Sequence, residues 1–289
     1  MTSIPSPIHS YHNSLNPMRK ISVCFVSLLA AAFCWHQSPA QVSVIGELTQ
    51  EKETRPGDRY EGTILVKNDT KEPQEAKIYQ TDYLFKYDGT NEYGEPGSAP
   101  RSNASWIGFS PSYLTLPPEG SMEVHYTVTV PQNAQGQPLI GTYWSMLMVE
   151  GIAKGSPESS AHPKKGEMGI QQTIRYGIQI VSHIAQTGTK KIEFLDTKLV
   201  AKPEGGRILQ VDIENTGDIG VRPEMYAELF NQKGASQGRF PGVRYRMYPG
   251  TSVRQVIDLS TVPAGTYKVM VVVDAGGDDV YGAQYTLKF

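Results

Sequence analysis

The stretch QQTIRYGIQIV, residues 171–181, alternates: Ile174, Tyr176, Ile178 and Ile180 are apolar, with Arg175, Gly177, Gln179 and Val181 between them. In an extended chain every second side chain points the same way, so these four residues form one apolar ridge. The stretch therefore reads as a β-strand with one face to bury. Either the chain's own core buries that ridge, or it is held out for something else.

The same texture extends outward in both directions. Strands are expected over 42–49, 60–67, 75–86, 105–109, 112–116, 121–130, 140–150 and 168–184, and then over 191–201, 207–214, 222–231, 243–248, 253–259, 265–273 and 280–288. The 28 glycines and 20 prolines fall between these runs as turn residues. Short strands at this spacing, with no helical period beyond the N-terminal segment, indicate a β-sandwich or barrel.

An internal repeat sharpens the reading. ILVKNDT, YLTLPPEGS, TVTVPQ and GTYWSMLMVEG in the first half answer to LQVDIENTG, YRMYPGTS and STVPAGTYKVMVVVDAG in the second. Each copy has a strand ending in Asn68 or Asn215, then a Pro/Gly turn (117–120 or 249–250). Pro131 or Pro263 and a Gly-Thr-Tyr strand follow. Asn suits the turn that ends a strand, and Pro with Gly sets the backbone of a tight turn. The expected fold is all-β, with two tandem immunoglobulin-like sandwiches over 41–188 and 189–289 and a boundary near Thr187-Gly188-Thr189. The first copy is the longer, expanded over 84–105, which holds a turn-rich insertion at 87–105, and over 131–140. A polar loop, 151–169, leads directly into the opening strand.

Residues 1–40 read as a leader. Met18-Arg19-Lys20 is a short basic start, Ile21 to Trp35 is mostly apolar, and Ser38 and Ala40 are the small residues a signal peptidase reads, with Met18 the expected start. The apolar run is shorter than the roughly 20 residues a membrane span needs. Both cysteines, Cys24 and Cys34, lie within this leader. Phe33 stands before Cys34, where lipidation calls for a small residue. Cleavage leaves no cysteine, which excludes disulfides, thiol catalysis and cysteine metal sites from the mature chain. Without Arg19 and Lys20 the charge is 25 basic against 29 acidic residues, no electrostatic footprint for nucleic acid. The mature chain is expected not to span a membrane and to lie in the periplasm, or alternatively to be secreted or held at the cell surface.

Candidates for chemistry dissolve on inspection. GASQG (234–238) has the spacing of a hydrolase nucleophile elbow around Ser236, but RFPGVRY follows it in place of a helix, so it reads as a hairpin loop. His125, His162 and His183 show no metal-ligand spacing. Asp274, Asp278 and Asp279 share one turn but lack the spacing and the terminal Glu of a calcium loop. Arg244 and Arg246 share a face, near Arg239 and Arg254, and read as a solvated sheet face. The expectation is a non-enzymatic protein with no cofactor and no metal.

FSPSYLTLPPEGSMEVHYTVTVP (109–131), YWSMLMVEGI (143–152) and TIRYGIQIV (173–181) resemble the first domain of the PapD-like periplasmic chaperones of chaperone–usher pilus systems. That resemblance implies two immunoglobulin-like domains and a final strand of the first domain whose apolar residues complete an unfinished partner sandwich. The role would fall on Ile174, Tyr176, Ile178 and Ile180, and the partner would be another exported protein such as a pilin-like subunit. At the position of that family's subunit-anchoring lysine this chain has Gln179, so the resemblance carries over no charged anchor there. The alternative is a structural or adhesive component of an envelope or surface assembly.

Overall fold

The structure, a computed structural model, describes residues 41–134, 136–153, 156–160 and 173–289. The leader, both cysteines, His162 and the 168–172 part of the expected strand lie outside the described residues.

The described chain is all-β and forms two sandwiches. In the first, one sheet runs β1 (Val42–Ile45), β3 (Arg59–Asn68), β8 (Ser121–Thr129), β6 (Ile107–Ser110). The facing sheet runs β2 (Thr49–Thr54), β10 (Arg175–Ile184), β9 (Gly141–Ile152), β4 (Gln74–Phe85), with β5 (Asn91–Gly94) and β7 (Tyr113–Leu116) both on β4. Alternate residues of the two sheets interdigitate in one core that includes Ile64, Val66, Leu114, Val124, Leu147, Val149, Ile178 and Ile180. The second sandwich sets β11 (Ile192–Ala201), β12 (Arg207–Asn215), β15 (Ser252–Asp258) against β14 (Ser236–Pro241), β13 (Glu224–Phe230), β16 (Thr266–Asp274), β17 (Val280–Lys288). Leu209, Val211, Ile213, Leu229, Val269 and Val271 fill its core.

Four expectations change. The run 42–49 is two strands in different sheets: β1 ends at Ile45, and β2 continues through TQEKET, whose exposed charges hid it. Charge on an edge strand deters pairing with foreign strands and also erases the apolar alternation that reveals strands in sequence. The 87–105 insertion contributes β5, held down by buried Asp82, which accepts from the Ala99 amide (2.7 Å) and the Ser98 hydroxyl (3.3 Å). The segment 243–248 is reduced to a single bridge between Met247 and Val221. The Gln255 side chain takes over local pairing there, bonding Val243 N at 2.9 Å and Val243 O at 2.8 Å. A strand forms upstream of that segment instead: β14 begins at Ser236, inside the expected 234–238 hairpin loop, and pairs with β13.

The repeat has a structural cause. Asn68 and Asn215 end β3 and β12, and both are fully buried. The Asn68 amide donates to Glu72 O (2.8 Å) and Pro117 O (2.9 Å), and its oxygen accepts from Thr70 N (2.8 Å). The Asn215 amide donates to Ile219 O (2.8 Å) and Met247 O (3.1 Å), and its oxygen accepts from Gly217 N (3.0 Å). Each asparagine thus ties its buried strand end to two loops. Replacing either by alanine removes at least three side-chain hydrogen bonds at a buried strand end, and should cost about 2–4 kcal/mol in urea unfolding. A loss under ~0.5 kcal/mol would contradict this account.

Candidate functional site

The opening stretch becomes β10, and its two edges differ. On one side it pairs antiparallel with β9 along its whole length, Arg175 to Ile184. On the other it pairs in parallel with β2, from Gln179 to Ile184 and no further. Gly46, with φ +109°, sits where the chain leaves the first sheet to enter the second. Because β2 starts at Thr49, the edge closes at the hydrogen bond from Gln179 N to Leu48 O, 2.9 Å. Among the described residues, no strand lies beside Arg175–Ile178 on that side. Backbone groups alternate in direction along a strand, and Gln179 N points to the β2 side. The N–H and C=O of Arg175 and Gly177 therefore point out along this free edge.

The ridge divides at the same place. Ile178 and Ile180 are fully buried in the first sandwich's own core. Tyr176 packs against that core but is only half-buried, and Ile174 is likewise half-buried. Beneath and beside the free edge the support is rigid: β9 is buried on both faces, with the core on one side and Met146, Met148 and Trp144 on the other. At the edge's outer end the Arg175 guanidinium bonds Glu150 (2.9 Å), which also accepts from the Tyr79 hydroxyl (2.9 Å) and lies 3.7 Å from Lys77.

The inner end of the free edge abuts the second sandwich. The Gln179 side-chain oxygen accepts from the Tyr248 hydroxyl (2.6 Å) and faces Thr49 Oγ1 (3.4 Å). Arg246 bonds Thr49 (3.2 Å) and pairs with Glu51. Tyr248 stacks on Trp144 with ring centroids 4.7 Å apart, and Trp144 Nε1 donates to Tyr83 O (2.9 Å). Burial pushes the Tyr248 phenol well above its usual range, against the opposing influence of Arg246. Thr142 N donates to Asp218 O (2.9 Å), and Arg101 pairs with the Asp218 carboxylate. Burial pushes that carboxyl up, but hydrogen bonds from Thr189 and the charge of Arg101 outweigh it and hold it below the ordinary range.

The other candidates lie elsewhere. Ser236 is exposed at the start of β14, where its hydroxyl donates to Glu228 (3.1 Å). The described histidines, His125 and His183, are on β8 and β10 in the first sandwich. In the 274–279 turn the Lys190 ammonium takes the place a cation would fill, bonding Ala275 O and Gly276 O (2.9 Å each) and pairing with Asp279 at 3.2 Å. The arginines are each matched: Arg239 with Glu228, Arg244 with Glu224, Arg246 with Glu51 and Arg254 with Asp212. Among the described residues no group of three or more metal-ligating side chains occurs, and no helix is long and apolar enough to cross a membrane.

A second anchor fixes the chain after β9. Glu75 accepts hydrogen bonds from Ser159 Oγ (2.6 Å) and from Ser160 N and Oγ. Burial pushes the Glu75 carboxyl up, but these bonds and one from Tyr113 overcome it and lower the value from 4.5 to about 2. A carboxylate depressed in the folded state contributes stability above its unfolded pKa, and that contribution is lost as pH falls through the folded value. The 156–160 segment should therefore stay docked at pH 4.5 and detach near pH 2. The Ser160 amide resonance should titrate with that midpoint in the wild type and not in Glu75→Gln; a midpoint of 4.5 would remove the anchor.

No protein-family model matches the chain, and no curated protein matches it. Solved structures similar to it include fimbrial chaperones. A chain from a chaperone–tip adhesin complex of CFA/I fimbriae biogenesis is 13% identical, with 86% of this chain and 98% of that one covered and a TM-score of 0.44. The class 5 fimbriae chaperone CfaA is 13% identical, with 85% and 98% covered and a TM-score of 0.43. A chain from the CsuC–CsuE chaperone–tip subunit pre-assembly complex of Acinetobacter baumannii is 15% identical, with 85% and 98% covered and a TM-score of 0.42.

Proposed function

We propose that this chain is a non-enzymatic, periplasmic chaperone-like protein that binds another exported protein, of pilin-like type, by strand pairing along Arg175–Ile178. The observation that carries this reading is the free edge itself. An unpaired row of backbone donors and acceptors is a hazard that proteins usually cover or charge, and β2 is charged in that way. Among the described residues, Arg175–Ile178 of β10 is instead left open, on a strand held by β9 and by its own buried isoleucines. Such an edge supports main-chain pairing with an extended segment, while alternate side chains select the partner. The donor role assigned to Ile174, Tyr176, Ile178 and Ile180 thereby divides: Ile174 and Tyr176 face the partner, and Ile178 and Ile180 brace the strand from beneath.

The test is a backbone block. Arg175→Pro removes one outward N–H and the exposed guanidinium's bond to Glu150, but no backbone bond to β9, and should cost no more than about 2 kcal/mol of unfolding free energy. It should also abolish recovery of a co-purifying partner that aggregates when the chain is absent. A variant that keeps its partner, or a partner that stays soluble alone, defeats the proposal. Recovery of the chain in a stable multi-copy assembly, with no dependent partner, supports the structural-component alternative instead.

A further inference from the structure

Gly177 lies at the middle of the free edge, and its missing side chain is filled from an unusual direction. A Cβ added there would meet Met146 Cε at 1.8 Å and Met148 Sδ at 3.3 Å, so the thioethers occupy the space where another residue's side chain would begin. Met146 and Met148 are the floor of a cavity of about 310 Å³ on the outer face of the sheet. The cavity reaches the free edge at Gly177 and Arg175 and runs across β9 and β4 to Tyr79 and Tyr93. Tyr93 is 60% exposed and its ring packs 5.2 Å from that of Tyr83. The polar groups at the rim are already engaged, since Arg175 and the Tyr79 hydroxyl both bond Glu150. What remains for a ligand is sulfur, ring surface and the Tyr93 hydroxyl.

We propose that this cavity is the selectivity pocket of the strand-pairing site. It accepts one aromatic side chain of the partner strand, at the position opposite Gly177 that points to the outer face. The inference rests on the strand-pairing reading above. The residue facing Gly177 on an added strand would have its Cβ about 5 Å away, on the same face as the cavity. The methionine thioethers fill the place of the missing side chain, and a large flat side chain from a neighbouring strand can close over an edge glycine and this cover. Thioethers favour contact with aromatic rings, and Met146 already projects its methyl over Gly177. The pocket is continuous with the free edge, so one strand engages both at once.

Two synthetic nonapeptides of alternating threonine and valine, with phenylalanine or alanine at the central outward position, separate the two claims. Hydrogen exchange at the Arg175 and Gly177 amides reports pairing, and the ¹³C-labelled ε-methyls of Met146 and Met148 report the pocket. The expected result is that both peptides protect the amides. The phenylalanine peptide should bind roughly tenfold tighter and shift both methyls by ring current. Gly177→Val should keep amide protection and lose the preference, and the wild-type methyl shifts decide the matter even if that variant folds poorly. Equal binding with no methyl shift overturns the pocket and leaves strand pairing standing. Absence of amide protection with either peptide overturns both.

Discussion

Ile178→Asp should unfold the first sandwich, whereas Ile174→Asp should leave it folded. The two residues sit on the same ridge four positions apart, yet Ile178 has no exposed surface and Ile174 is half-buried. Ile178 packs in the core that also holds Leu147 and Val149 of β9. Truncating such a side chain to alanine costs about 2–5 kcal/mol through lost burial and the cavity left behind. An aspartate adds an unpaired charge in an apolar interior, which costs several kcal/mol more and approaches the ~5–15 kcal/mol stability of a whole domain. At Ile174 the same change should cost about 1 kcal/mol or less and act on partner recovery instead. Urea unfolding followed by intrinsic fluorescence, with circular dichroism of the folded state, measures both. An Ile178→Asp protein with native spectrum and wild-type midpoint would mean that the ridge is not core at that position.

Trp144→Ala should uncouple the two sandwiches. The indole is 3% exposed, stacks on Tyr248 and donates to Tyr83 O. Val181, Leu84 and Phe85 complete this small cluster between the two main cores. Removing the ring forfeits about 3–5 kcal/mol of burial and leaves Tyr248 without its stacking partner. Since this cluster lies between the two main cores, that loss should fall on their coupling. Calorimetry should then resolve two unfolding transitions where the wild type gives one. A single transition, shifted but cooperative, would show that the polar contacts between them, among them Arg101 with Asp218, Gln179 with Tyr248 and Arg246 with Glu51, suffice to couple them.

Much of this was legible in the amino acids. Alternation in 171–181 dictates a strand, because side chains of an extended chain must point to opposite faces in turn. The recurrence of Asn68 and Asn215, each before a Pro/Gly turn, reflects buried amides that close two loops at a strand end. Charge balance and the spacing of serine, histidine and aspartate offered no local pattern for catalysis or metal binding. TQEKET and 236–241 were not legible, since edge strands face water on their outer surfaces and need no apolar period.

What no reading of alternation could decide was how the ridge is shared. Ile174, Tyr176, Ile178 and Ile180 have equivalent patterning, and their difference comes from a residue pair more than a hundred positions away. Leu48 and Thr49 meet β10 at Gln179, so the strand is covered beyond that point and open before it. Pairing between distant strands is a property of the assembled sheets, in which a chain crossing at Gly46 determines where an edge begins. Amino-acid pattern determined that this segment is a strand with an apolar face; tertiary packing alone determined that its Arg175–Ile178 part lies beside an edge no described strand covers.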